Sequence, residues 1–124
     1  MSVRDTWKTP RHVYEQLDAE FAFDFDPCPP LPEFDGLSVN WGKSNFVNPP
    51  YGNVIALWLA KAREEQANGK GSVFLIPSRT DTRWWHDHVM EADEIRFIKG
   101  RLKFDDQKNP APFPSAVVVF RPKS

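Results

Sequence analysis

Cysteine is almost absent: Cys28 stands alone among 124 residues. A single thiol forms no internal disulfide, so packing must hold the chain, and a reducing, cytoplasmic setting is expected. Long hydrophobic runs are missing too. No stretch approaches the roughly 18 apolar residues of a membrane-spanning helix, and no apolar signal segment opens the chain, so no membrane partner is expected. Charge is nearly balanced at a formal −1, which removes the global basic excess that would announce a nucleic-acid partner. His86 and His88 find no Cys or carboxylate at a metal-ligand spacing, so no metal is expected. Internal repeats and low-complexity linkers are lacking. A hydrophobic share of 40% and a charged share of 27% describe an ordinary globular balance. The length suits one domain over residues 1–124, with no separate recognition domain.

Charge is distributed unevenly. From Arg96 onward, Arg96, Lys99, Arg101, Lys103, Lys108, Arg121 and Lys123 outnumber Asp105 and Asp106. Such a face either meets phosphates or is simply solvated. Nine of the 12 prolines cluster at residues 27–32, 49–50 and 110–114, which reads as rigid loops around a sheet.

The chain is organised around the stretch from Ser44 to Asn53. The apolar pair Phe46-Val47 leads into Asn48, Pro49, Pro50 and Tyr51, and a helical pattern follows at once. Proline holds itself and its predecessor out of helix, so Asn48 and Pro49 end a strand in a rigid turn. The turn presents an amide, a free carbonyl and an aromatic ring. Asn48 and the Pro49 carbonyl can accept the hydrogens of an amino group on a flat ring. Tyr51 can stack on that ring.

Before this stretch, Thr9 and Pro10 read as the N-cap and first residue of a helix with Val13, Leu17 and Phe21 on one stripe. Phe21, Phe23 and Phe25 alternate with Ala22, Asp24 and Asp26, predicting a strand over 21–26 that ends in Asp26-Pro27-Cys28. An acid at that end of a strand sits where open α/β sheets bind ligands. Asp24 reads as an outward charge, and Trp41 as a core residue in a loop over 31–43. After the turn, Asn53 caps a helix to Asn68 with Val54, Leu57, Trp58 and Ala62 buried. Residues 71–77 form a strand buried on both faces. A donor-rich loop, Arg79-Thr80-Asp81-Thr82, leads to a helix from Arg83 to Ala92 carrying Trp84 and Trp85. Strands follow at 94–99, 101–104 and 115–121, with a flexible loop over 105–114.

Asn48-Pro49-Pro50-Tyr51 resembles the catalytic motif of methyltransferases that use S-adenosylmethionine to methylate the exocyclic amino group of adenine. Protein-glutamine and some RNA methyltransferases carry the same four residues. Four further segments resemble a phage-encoded, Dam-like group of DNA adenine-N6-methyltransferases. They are Trp7-x-Thr9-Pro10, Arg79-Thr80-Asp81-Thr82 before an aromatic and a His, Gly100 to Phe104, and Ala111 to Ser115. The resemblance runs from Trp7 to Phe120. It implies that Trp7, Thr9 and Pro10 lie against the cofactor, and that Asp26, Pro27 and Cys28 line its methionine end. Asp35 is the acid left for the cofactor's ribose, and Asn48 borders cofactor and base alike. Arg79, Thr80, Asp81, Arg83, Trp84, Arg101 and Lys103 are then the DNA-facing set.

Two departures from that pattern stand out. No Gly-x-Gly directly follows Asp26, and the segment from Asp26 to Asn48 is too short for the two further strands of an ordinary core. The expected fold is therefore α/β: a reduced Rossmann-like methyltransferase core with a mostly parallel sheet and an antiparallel C-terminal strand. The expected activity is methylation of adenine in DNA. RNA, a protein glutamine, or a nucleic-acid-binding relic without catalysis stay open as alternatives, and so does a homodimer.

Overall fold

The computed structural model describes residues 7–29 and 33–123. Pro30 and Pro32 of the first proline cluster lie outside the described residues. Helix α1 (Arg11–Phe21) precedes strand β1 (Ser44–Val47), and α2 (Ile55–Ala67) connects it to β2 (Gly71–Pro77). Helix α3 (Arg83–Asp87) and a 3-10 turn (Val89–Glu91) lead to β3 (Glu94–Phe97) and then β4 (Ser115–Phe120). The sheet order is β1-β2-β4-β3. β1 and β2 are parallel, while β4 lies between β2 and β3 and is antiparallel to both. The fold is thus α/β with a mixed sheet: β1, β2 and β3 share one direction and the C-terminal strand alone opposes them.

Both faces of the sheet are covered, so all seven residues of β2 are buried. On one face, Val47, Phe74, Ile76, Val118 and Phe120 pack with Ile55, Trp58 and Leu59 of α2 and with Trp84 and Trp85. On the other, Phe46, Val73, Leu75, Val117 and Val119 meet Leu17 of α1 and a cap made from Leu102, Phe104 and Phe113. The phase of α2 differs by one residue from the expected one. Ile55, Trp58, Leu59 and Ala62 face the sheet, leaving Val54 and Leu57 exposed. Asn53 makes no side-chain cap, since Val54 takes that position. Glu65 is buried within α2, where burial alone would raise its carboxyl. The ammonium groups of Lys61 and Lys70 and the Trp41 N–H hold it below its ordinary value instead.

Three expected elements differ. The strand over 21–26 is reduced to one parallel bridge between Phe25 and Asn45. Helix α1 keeps Phe21, Ala22 turns left-handed at φ 51°, and the Asp18 carboxylate takes the Phe23 N–H. Asp24 is no idle outward charge, because its two oxygens accept from the Ser44 and Lys43 N–H groups. The strand at 101–104 does not form. Gly100 turns the chain at φ 78°, and Leu102 and Phe104 drop into the core as plugs. The helix from Arg83 ends at Asp87, and residues 89–91 tighten into the 3-10 turn. Trp41 is a core residue as expected, its indole N–H donating to the Gly36 carbonyl at 2.8 Å.

Thr9 is not the cap of α1. Pro10 occupies the cap position without a side-chain bond. Asp105 supplies the missing acceptor from a distant loop, taking the Arg11 N–H at 3.0 Å. Asp106 takes the Lys8 N–H at 3.1 Å, and the Asp105 N–H donates to the Lys8 carbonyl at 3.0 Å. The chain around Thr9 is therefore fastened to the 105–106 loop, which leaves the Thr9 hydroxyl for another partner.

Candidate active site

β1 sends Phe46 and Val47 to opposite faces of the core and releases the chain at Asn48. The buried ring of Pro49 stiffens the turn. The Asn48 Nδ2 donates to the Trp7 carbonyl and, at 3.0 Å, to the Thr9 hydroxyl. A carbonyl only accepts, so this contact decides which end of the amide is nitrogen. Oδ1 is left with under 1 Å² of exposure and no partner among the described residues. A buried acceptor without a donor costs about 1–3 kcal/mol, and a native structure keeps one where a ligand can supply the donor. Tyr51 follows, its ring enclosed by Trp7, Phe104 and Phe113. Its hydroxyl donates to the Leu75 carbonyl at 3.4 Å, and burial raises the phenol far above its ordinary value.

Asp26 stands at the end of the Phe25 bridge. Burial pushes its carboxyl up to about 6, although the Cys28 N–H bonds Oδ1 at 2.9 Å and draws it partly back. A cleft of about 420 Å³ opens here, lined by Asp26 with Thr9, Tyr14, Phe46, Lys8, Arg11 and Asp105. The half-buried Asp26 carboxylate suits an ammonium group and the Lys8 ammonium suits a carboxylate, while Arg11 is paired with Glu15 at 3.0 Å. The ring walls of Tyr14 and Phe46 suit an aliphatic chain between them. The set fits the amino-acid end of S-adenosylmethionine. Pro27 and Cys28 follow Asp26 directly, and the Pro27 carbonyl lies so close to Gly36 that a Cβ there would meet it at 1.9 Å. Asp35 is placed differently from Asp26. Its oxygens bond the Leu37 N–H at 3.0 Å and the Ser38 hydroxyl at 2.8 Å, bonds that hold its carboxyl below the ordinary range.

The turn thus ends in an oriented amide, beside a cleft that holds the Asp26 carboxylate and the Lys8 ammonium. The sequence profile of the DNA N-6-adenine-methyltransferase (Dam) family matches residues 1–122. This chain belongs to that family. It is 29% identical to the DNA N-6-adenine-methyltransferase of Haemophilus phage HP1 over 99% of the chain and 82% of that protein. It is also 29% identical to the enzyme of the same name from Escherichia phage T1, over 87% of the chain and 50% of that longer protein. No solved structure gives a significant match.

Within this Dam-family chain the residues expected to face DNA divide. Arg79, Thr80, Asp81 and Arg83 are exposed at the C-terminal end of β2, and His86 Nε2 lies 2.8 Å from the Thr80 carbonyl, closing the loop. Arg83 pairs with Asp87 at 3.4 Å. Arg79 and Asp81 border a hollow of about 230 Å³ with Ser78 and Phe113, so the loop adjoins the aromatic group around Tyr51. Trp84 is a correction. Only 9% exposed, it packs into the core against Trp85 and offers DNA no ring. Arg101 and Lys103 are exposed, and the Lys103 ammonium donates to the Gln107 carbonyl at 2.7 Å.

The basic C-terminal run is partly neutralised. Arg96 grips Glu20 with two bonds of 2.7 and 2.6 Å, and Arg121 meets Glu94 at 2.6 Å. Those pairs tie α1 to the β3-β4 edge. Among the described residues no three His, Cys, Asp or Glu side chains gather as a metal site. No helix among them is long and apolar enough to cross a membrane. Tyr14, Phe104, Asp105 and Phe113 join the site without having been expected there. Only the fold brings them to Asn48 and Asp26; Phe104 and Phe113 lie in two segments that resemble the family, whereas the local sequence around Tyr14 and Asp105 carries no signal of it.

Proposed function

We propose that this chain transfers a methyl group from S-adenosylmethionine to the exocyclic amino group of adenine in DNA, on a reduced Rossmann-like methyltransferase core. The observation that carries the reading is the Asn48 amide, turned so that its nitrogen is engaged and its oxygen is not. The insertion of the antiparallel C-terminal strand between β2 and β3 supports the fold assignment.

The adenine amino nitrogen is a poor nucleophile because its lone pair is delocalised into the ring. Asn48 Oδ1 and the Pro49 carbonyl accept its two hydrogens and draw the lone pair out of conjugation. The bound cofactor supplies an electrophilic methyl on a sulfonium. The amino nitrogen, aligned by Asn48 and Pro49, would take that methyl group and give up one proton to water. Asn48 and Pro49 contribute alignment and fixed dipoles, with no covalent step on the protein. Asp26 would hold the cofactor's ammonium and Lys8 would face its carboxylate, Arg11 being paired with Glu15 at 3.0 Å. Because Oδ1 is covered, the base must part the surrounding side chains as it leaves the duplex stack.

Incubation with methyl-labelled S-adenosylmethionine and duplex DNA, followed by nucleoside analysis, tests the reading. Label in N6-methyladenine is the expected result. Label confined to RNA or to protein glutamine, offered in parallel, would overturn it, and so would no label at all.

A further inference from the structure

We infer that Thr9 is a positioning residue for this reaction, holding the Asn48 amide in the plane that aims Oδ1 at the substrate amino group. The inference rests on the methyltransferase reading above. An amide nitrogen carries two hydrogens. One contact, to the Trp7 carbonyl, decides which end of the side chain is nitrogen but leaves the amide free to twist about that single bond. The second contact, to the Thr9 hydroxyl at 3.0 Å, engages the other hydrogen and fixes the plane. With both hydrogens held, the direction of Oδ1 is set before any substrate arrives. This is the preorganisation that dipole-based catalysis needs, since reorienting the dipole during reaction would forfeit the gain.

Thr9 is itself well held. Lys8 and Arg11 on either side of it are bonded to Asp105 and Asp106 through three backbone contacts of 3.0 to 3.1 Å. That clamp explains why a Thr-Pro at a helix start leaves its hydroxyl out of the cap: Asp105 takes over the capping bond and Thr9 turns to Asn48. Thr9 also lines the cleft that holds Asp26. One residue therefore touches both halves of the site, and its two roles are separable. A cleft wall acts on cofactor affinity. A positioning residue acts on turnover.

The test compares wild type, Thr9→Val and Thr9→Ser in single-turnover methylation of DNA, with S-adenosylhomocysteine affinity measured by calorimetry. Valine keeps the shape and removes the hydroxyl. It should slow turnover about ten- to hundredfold, the cost of a slightly misplaced group, with affinity changed less than about threefold. Serine should restore most of the rate. In an Asn48→Ala background, Thr9→Val should cost nothing further, because the amide it positions is gone. An independent readout needs no activity. The side-chain NH2 signals of Asn48 should exchange slowly with water in wild type and in Thr9→Ser, and faster in Thr9→Val. Unchanged turnover in a folded Thr9→Val, an effect on affinity alone, or failure of serine to rescue would overturn the inference. Wild type without methylation would instead count against the methyltransferase reading, and the exchange measurement would still decide whether Thr9 orients the amide.

Discussion

Trp7 and Tyr51 stack with ring centroids 6.4 Å apart and planes 21° apart, and Phe113 stands edge-on to both. Tyr51 is thus a core residue as well as a candidate platform for the target base. Its hydroxyl makes one long bond to Leu75, which adds little. Tyr51→Phe should cost at most about 1 kcal/mol of stability and keep most of the activity. Tyr51→Ala should leave a cavity costing roughly 3–5 kcal/mol and remove most of the methylation. Urea unfolding beside a methylation assay checks both. Equal losses in the two variants would mean that the hydroxyl, not the ring, matters.

Asn48→Ala takes away the oriented acceptor and leaves the Asp26 cleft in place. Turnover should fall about a hundredfold or more, while affinity for S-adenosylhomocysteine stays within a few-fold of wild type. Single-turnover rates and calorimetry on the same preparation separate the two quantities. A variant that lost affinity but kept its rate would place Asn48 in cofactor binding alone.

How much of this could be read beforehand depends on how local each cause was. β2 was legible because an unbroken apolar run has few uses other than a strand covered on both sides. The Asn48 turn was legible because two prolines restrict the backbone whatever surrounds them. The strand at 21–26 was misread for a physical reason. Its alternation is real, but Asp18 and Asp24 spend their carboxylates on backbone N–H groups and replace the ladder. Thr9 looked like a cap because nothing nearby in sequence revealed Asp105, which reaches α1 from 94 residues away. Phe104 and Phe113 lay in segments marked by the family resemblance, but their distance in sequence hid that they enclose Tyr51. Trp84 resembled a DNA contact by its neighbours in the motif, and packing against Trp85 in the core decided otherwise.

Asp26 makes the site pH-sensitive in two opposed ways. Its carboxyl moves from 3.8 to about 6 on folding, through burial. Between those values the folded state binds more protons than the unfolded one, so stability declines as pH rises from about 4 to 6 and is level above. The decline is worth roughly 3 kcal/mol. Glu20, Glu65 and Glu94 lean the other way, because their lowered values give stability that is lost as pH falls through them. The difference between wild type and Asp26→Asn therefore isolates the Asp26 contribution. Cofactor affinity should follow the ionised carboxylate: level above about pH 6, and falling about tenfold per pH unit below it. Calorimetry at several pH values checks this, and a flat profile would remove Asp26 from ammonium binding.

DNA affinity should depend on few side chains. Arg96 and Arg121 are committed to Glu20 and Glu94, and Arg83 to Asp87. The guanidinium groups of Arg79 and Arg101 and the ammonium groups of Lys99, Lys103 and Lys108 form no ion pair with a described residue and are exposed, so phosphate contact falls mainly to these side chains. Arg79 sits where the β2 loop meets the aromatic group around Tyr51. Each phosphate contact contributes about 0.9 to the slope of log affinity against log salt. Arg79→Ala and Arg101→Ala should each lower that slope by about one such step and weaken binding evenly across sequences, because phosphate contacts position without reading. Reading a base edge needs a bidentate side chain worth roughly 1–3 kcal/mol, and two exposed arginines leave little for that. Recognition should be relaxed, covering about one to three bases around the adenine. Sequencing the methylated positions of a random DNA pool checks the expectation, and a long, strict motif read by the monomeric protein would overturn it.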